Sequence, residues 1–249
     1  MKPNFENYTV PGFLANGTHA GIKEERKKDL SLIFSTVSAK AAAVFTTNAF
    51  KAAPVLLDME RIKSGQAQAI LTNSGNANAA TGTGGYQDAL AMSRSFSQRL
   101  GIRDDLVLVA STGMIGRRLP LKKIESAMGR LIKGLKPEGI PMAEEAIMTT
   151  DRFPKIAMRK NRIGDKDIIL CGIAKGAGMI EPHMATMLSY VMTDASIDGT
   201  TLDAVFREAV ARSFNAISVD GCMSTNDTAI ILANGMAGNP LIQGNSKSL

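Results

Sequence analysis

Threonine hydroxyls at two points of this 249-residue sequence could carry out acyl-transfer chemistry. The stretch "KGAGMIEPHMATMLSY" (175–190) places Thr186 after the small Ala185 and before an apolar segment. A threonine hydroxyl needs a nearby base to act as a nucleophile, and an N-terminal threonine carries one as its own α-amine. Cleavage between Ala185 and Thr186 would create that amine. Spacing alone also allows a simpler interpretation, in which Thr186 only begins a β-strand, because threonine is common in strands.

A second stretch, "VLVASTGMIGRRLP" (107–120), runs from an apolar strand into a polar turn that contains glycine. Here Thr112 and Gly113 could direct hydrogen-bond donors at a developing oxyanion. Any acyl transfer needs such an oxyanion hole, first for self-cleavage and later for turnover. We therefore interpret Thr112 and Gly113 as candidates for that role.

One other pattern resembles a motif but has the wrong spacing, and the residues of a hydrolase triad are not found in a recognisable pattern. "TNSGNANAATGTGGYQDAL" (72–90) lies between a strand and a helix, as a dinucleotide-binding loop would, but Gly82 and Gly84 are followed by Gln87 where that motif has glycine. We expect instead a glycine-rich turn that shapes the floor of a site. His19 and His183 are the only histidines and no serine lies in a G-x-S-x-G pattern, so a Ser-His-Asp hydrolase is disfavoured.

The composition of the chain narrows the classes of function that remain. Apolar residues make up 45% of the chain and the net charge is +6, with the basic residues in short runs and not in one stripe. This pattern disfavours nucleic-acid binding and favours small carboxylate substrates. Cys171 and Cys222 have no metal-ligand spacing, so we predict no metal and a reducing cytoplasm. No stretch resembles a signal peptide or a membrane span.

The periodicity of apolar residues predicts a mixed α/β chain that positions these candidate residues. Predicted helices cover 86–101, 121–135, 141–150 and 201–214. Predicted strands cover 29–34, 41–47, 67–73, 105–111, a hairpin at 155–160 and 166–174, the segment after 186, and 228–234.

Seven ordered segments resemble the glutamate N-acetyltransferase family, also called ornithine acetyltransferases, which act in arginine biosynthesis. They are "GIK" (21–23), "AAVFTTNAFKAAPV" (42–55), "TNSGNANAATG" (72–82), "ASTGMIG" (110–116), "TTDRFPK" (149–155), "AKGAGMIEPHMATML" (174–188) and "DGCMSTNDT" (220–228). The resemblance implies a layered α-β-β-α sandwich, shared with self-processing aminopeptidases. It also implies self-cleavage into an α-chain of residues 1–185 and a β-chain, of which residues 186–249 form the N-terminal part while the C-terminal remainder is missing.

The same resemblance implies a role for each matching residue. Thr186 is the nucleophile of both cleavage and turnover, Thr112 and Gly113 form the oxyanion hole, and Thr149, Lys175 and Thr186 bind the substrate. The implied reaction moves the acetyl group of N2-acetylornithine to Thr186 and then to glutamate, which yields ornithine and N-acetylglutamate. The resemblance implies a cytoplasmic α2β2 assembly without a cofactor or membrane, and it leaves acetyl-CoA open as a second donor.

Two departures from the family pattern leave alternatives open. His183 stands where the family usually has asparagine, and Glu181 is unusual just upstream. Family members also continue past residue 249 with further substrate-binding residues. One alternative function is an N-terminal-nucleophile amidohydrolase or aminopeptidase. Another is an inactive, unprocessed fragment of the acetyltransferase.

Overall fold

The computed structural model describes residues 8–24, 27–178, 187–217, 220 and 223–244. Within these ranges the chain forms eight strands and five helices. The strands are β1 (Phe13–Thr18), β2 (Leu30–Phe45), β3 (Gln66–Asn76), β4 (Val107–Met114), β5 (Lys155–Ile163), β6 (Lys166–Lys175), β7 (Leu188–Thr193) and β8 (Thr228–Ala233). The helices are α1 (Ala53–Arg61), α2 (Gly82–Leu100), α3 (Leu121–Lys133), α4 (Ile140–Ile147) and α5 (Gly199–Arg212).

The strands form one sheet that folds over on itself along β2. The order is β4-β3-β2-β8-β7-β6-β5, and β1 also pairs with β2. The first part of β2 pairs with β3, its last part pairs with β8, and the register with β3 shifts between Phe34 and Ala39. Although β3 and β7 are not neighbours in the sheet, the hydroxyls of Thr72 on β3 and Tyr190 on β7 are 2.8 Å apart. The two halves of the sheet therefore face each other.

Each strand divides its apolar side chains between two cores, because successive residues point to opposite faces. Between the layers lie Ile70, Leu108, Tyr190 and Ile230, together with one face of α4. The outer face of β3 and β4 packs against α1, α2 and α3. The outer face of β7 and β8 packs against α5. This arrangement confirms the predicted α-β-β-α sandwich.

The four predicted helices are confirmed, and the predicted strands 29–34 and 41–47 are parts of the single strand β2. The sequence interpretation missed β1 and α1. Strand β1 contains Asn16, and asparagine is uncommon in strands. The buried Asn16 amide donates to the carbonyl of Leu131. Helix α1 has Pro54 in its first turn, a start signal that was readable in the sequence. No helix in the described ranges is long and apolar enough to cross a membrane.

Candidate active site

A cleft of about 780 Å³ opens where several strands end at the same side of the sandwich. Strands β3 and β4 are parallel and finish there, β6 finishes there, and β7 and β8 begin there. Four of the residues singled out from the sequence line this cleft: Thr112, Gly113, Thr149 and Lys175. The sheet therefore brings together side chains that are far apart in the sequence.

Lys175 is the buried cation of the cleft. It is the last residue of β6, only 4% exposed, and its Nζ donates to Thr112 Oγ1 at 3.0 Å. Burial lowers its pKa below the ordinary value, although the carboxyls of Asp151 and Asp227 oppose that shift. A desolvated ammonium with two further donors is suited to a substrate carboxylate, because it has lost most of its competing water.

The turn after Thr112 requires glycine at two neighbouring positions. Gly113 has φ +134° and Gly75, its partner in the register of β3 and β4, has φ +103°. A Cβ on Gly113 would lie 2.3 Å from the carbonyl carbon of Gly75. The two backbones therefore approach more closely than any side chain permits, and the Gly113 backbone lies bare at the cleft surface.

Asp151 organises the side of the cleft that holds Thr149. Its carboxylate accepts hydrogen bonds from Lys155 Nζ at 2.5 Å, the Gly176 N–H at 2.8 Å and the Thr149 N–H at 3.2 Å. Burial acts to raise the pKa of Asp151, but these hydrogen bonds lower it below its usual value. The ionised Asp151 thus fixes Thr149 beside the segment that follows Lys175.

Lys23 is a second cation of the cleft that the sequence interpretation did not assign. Its Nζ donates to the carbonyls of Lys28 at 2.9 Å and Met148 at 2.7 Å. The buried Asp29 accepts the Lys23 N–H at 3.0 Å, which holds the loop in place. Burial lowers the pKa of Lys23. The sequence features that could have pointed to Lys23 were the "GIK" segment and Asp29.

Asparagine side chains hold the turn between β3 and α2. Asn73 Nδ2 donates to the carbonyl of Asn76, and Asn76 Nδ2 donates to the carbonyls of Arg117 and Arg118. Asn78 Nδ2 donates to the carbonyl of Gly85 at 2.8 Å. These amides explain why the segment is rich in asparagine. From this stretch, Gly75 at the end of β3 and Ala77 just after it line the cleft, whereas Gly82 and Gly84 lie in α2 and do not line it.

Asp227 lies beside the backbone that follows the predicted nucleophile. It is 1% exposed and its Oδ1 accepts the Met187 N–H at 3.1 Å. Burial raises its pKa to about 8, while the Met187 N–H and the charge of Lys175 oppose the shift. The carboxyl is therefore mostly protonated at neutral pH. The "STNDT" segment carried this aspartate, but nothing in its spacing distinguished it from a surface residue.

The remaining predicted site residues lie outside the described residues. These are Ala185 and Thr186, with the nearby His183 and Glu181. The predicted boundary between α-chain and β-chain falls there too. Among the residues that the structure describes, no group of three or more histidine, cysteine, aspartate or glutamate side chains has a metal-binding arrangement.

The chain is an α-β-β-α sandwich with a cationic cleft where the strands end. Comparison with known proteins makes this specific. The chain belongs to the ArgJ family, whose model matches residues 14–248.

Individual relatives agree with the family match. The chain is 55% identical over 232 residues to the arginine biosynthesis bifunctional protein ArgJ of Caldanaerobacter subterraneus subsp. tengcongensis, covering 93% of this chain and 57% of that relative. The chain thus spans less than two thirds of that relative.

Two crystal structures share the fold. The ArgJ protein of Bacillus halodurans is 39% identical, with a TM-score of 0.65 over 70% of this chain and 91% of that one. The ornithine acetyltransferase of Mycobacterium tuberculosis, solved with ornithine, is 34% identical, with a TM-score of 0.63 over 72% of this chain and 96% of that one.

Proposed function

We propose that this chain carries the acetyl-transfer site of an ornithine acetyltransferase. In the proposed reaction, N2-acetylornithine donates its acetyl group to the Thr186 hydroxyl and glutamate then accepts it. The observation that carries the proposal is the hydrogen bond from the buried Lys175 to Thr112, beside the bare backbone of Gly113. Its support from relatives is the 55% identity to a bifunctional ArgJ protein and the named ornithine acetyltransferase of the same fold.

Each part of the cleft fits one requirement of acyl transfer. Thr112 and Gly113 would stabilise the oxyanion, because donors that point to a desolvated site stabilise developing charge strongly. Lys175 would bind the α-carboxylate of the amino acid, and Thr149 would hydrogen-bond the same ligand. Lys23 adds positive charge to the same cleft, which favours anionic amino acids.

Self-cleavage precedes turnover in this proposal. The Thr186 hydroxyl attacks the carbonyl carbon of Ala185, the C–N bond breaks, and the nitrogen takes the hydroxyl proton. Water then hydrolyses the resulting ester, which releases the new carboxyl terminus and leaves Thr186 with a free α-amine as its base. We propose no cofactor or metal and a cytoplasmic location, with acetyl-CoA open as a second donor and assembly of the processed chains as α2β2.

Product analysis tests the proposal. The protein is incubated with N2-acetylornithine labelled in the acetyl group, with and without glutamate, and the products are separated. We expect labelled N-acetylglutamate that depends on glutamate. Free labelled acetate without N-acetylglutamate would instead indicate an N-terminal-nucleophile hydrolase. An intact chain with neither product would indicate an unprocessed fragment. The Thr186→Ala variant should neither cleave nor transfer.

A further inference from the structure

Asn226 joins the two layers of the sandwich at the edge of the cleft. It lies just before β8, is 7% exposed, and its Nδ2 donates to the carbonyl of Ala77 at 2.6 Å and that of Ser111 at 2.9 Å. Ala77 follows β3 and Ser111 is part of β4. One side-chain amide therefore links the second layer to two points of the first.

One of these acceptors is the carbonyl adjacent to the candidate oxyanion hole. The Ser111 carbonyl and the Thr112 N–H belong to one planar trans peptide, so an anchor on the carbonyl fixes the orientation of the whole peptide unit. Ser111 Oγ also donates to Asn73 Oδ1 at 2.6 Å. The backbone that leads into Thr112 and Gly113 is thus restrained on both its carbonyl and its side chain.

The Asn226 side chain is itself held in one orientation. Its Oδ1 accepts from Thr225 Oγ1 at 2.6 Å, and its backbone N–H donates to Ser224 Oγ at 3.1 Å. With Oδ1 occupied by a hydroxyl donor, Nδ2 must face the carbonyls. An ionised aspartate at this position would have the same shape but no donor for either carbonyl, so both hydrogen bonds would be lost.

We propose that Asn226 is a positioning residue for the acetyl-transfer reaction: it orients the Ser111–Thr112 peptide and thereby directs the oxyanion-stabilising groups. This inference rests on the proposed function. A displacement of catalytic donors by about 1 Å is enough to slow an enzyme roughly 100-fold. Asn226 would act through Thr112 and Gly113, because its amide nitrogen already donates to the carbonyls of Ala77 and Ser111.

The chain provides a matched control in Asn239. That side chain is 6% exposed and its Nδ2 likewise donates to two carbonyls, those of Ser196 at 3.1 Å and Pro240 at 2.7 Å. Its Oδ1 accepts the Ser196 N–H. It does not line the cleft. Asn226→Asp and Asn239→Asp therefore lose the same kind of bond at different places.

Steady-state acetyl transfer with N2-acetylornithine and glutamate, urea unfolding and amide hydrogen exchange test the proposal on both variants. We expect Asn226→Asp to lower kcat by roughly 100-fold with little change in KM, and Asn239→Asp to leave kcat unchanged at a comparable loss of stability. Exchange at residues 111–114 should become at least about tenfold faster in Asn226→Asp alone.

Equal kcat values for the two variants would overturn the positioning role. A raised KM with unchanged kcat in Asn226→Asp would overturn it as well. If the wild-type protein makes no N-acetylglutamate, the proposed function fails and hydrogen exchange decides the inference about Asn226. Unchanged exchange at residues 111–114 in Asn226→Asp would then refute it.

Discussion

Replacing Gly113 by alanine should damage the cleft at one defined point. The added Cβ would lie 2.3 Å from the carbonyl carbon of Gly75 and 2.5 Å from the nitrogen of Asn76. Both contacts are with backbone atoms at the end of β3, so no side-chain rotation relieves them. At φ +134°, alanine is also in a backbone region that it rarely adopts.

The magnitude follows from these contacts. Carbon atoms pack at about 3.5–4.0 Å, so the 2.3 Å contact requires the two strand ends to separate by roughly 1 Å. A displacement of that size at a catalytic group costs on the order of 100-fold in rate. The left-handed backbone adds about 1–2 kcal/mol of lost stability. We therefore expect kcat for acetyl transfer to fall about 100-fold, together with a measurable drop in the free energy of unfolding.

Gly116→Ala provides the control for backbone strain without collision. Gly116 has φ +81°, and a Cβ there would meet no atom within 4 Å. Kinetics of N-acetylglutamate formation and urea unfolding are measured on both variants. Gly116→Ala should lose about as much stability as backbone strain alone costs Gly113→Ala, but it should retain most of its kcat. If Gly113→Ala retained wild-type kcat, or Gly116→Ala lost as much, the assignment of the Gly113 backbone to the oxyanion hole would be refuted.

Three further substitutions test the roles of Lys175, Asp227 and Tyr190. Lys175→Met should lower kcat/KM for N2-acetylornithine by about 10- to 100-fold, since a charge-assisted hydrogen bond to the substrate is lost. Urea unfolding should show no loss of stability, because the substitution removes a buried ammonium. Wild-type kinetics would exclude Lys175 from substrate binding. Asp227→Asn should change the dependence of stability on pH: the pKa is about 8 when folded against an ordinary 3.8, so this carboxyl retains its proton in the fold and reduces stability as pH rises through that range. The advantage of Asp227→Asn in urea unfolding should grow from pH 4 to pH 8, and a constant difference would contradict the raised pKa. Tyr190→Phe should lower the free energy of unfolding by about 1–2 kcal/mol, because the hydrogen bond to Thr72 is lost. An unchanged free energy of unfolding would contradict the contact between the sheet layers.

Most helices and strands were predictable from local sequence, because the strands are apolar runs and the helices are amphipathic. The sandwich arrangement was implied by the family resemblance. What periodicity could not show is that residues 29–34 and 41–47 form one continuous strand. The register shift between Phe34 and Ala39 lets the two ends of β2 pair with different layers. That continuity depends on pairing with β3 and β8, which are distant in sequence.

The candidate site was predictable to the extent that its residues lie in recognisable segments. Thr112, Gly113, Thr149 and Lys175 line one cleft, and their roles in it stay predictions. Asn226 was missed because its importance lies in partners that are more than a hundred residues away. Carboxyl groups such as Asp227 gain their raised pKa from burial, which the sequence does not reveal.

Mass spectrometry of the protein after exposure to N2-acetylornithine shows whether Thr186 is both the cleavage point and the acetyl acceptor. We expect two fragments, one ending at Ala185 and one beginning at Thr186. The second should gain one acetyl group on its threonine side chain, which glutamate then removes. An uncleaved chain, or an acetyl group on any residue other than Thr186, would contradict the role of Thr186 as the nucleophile.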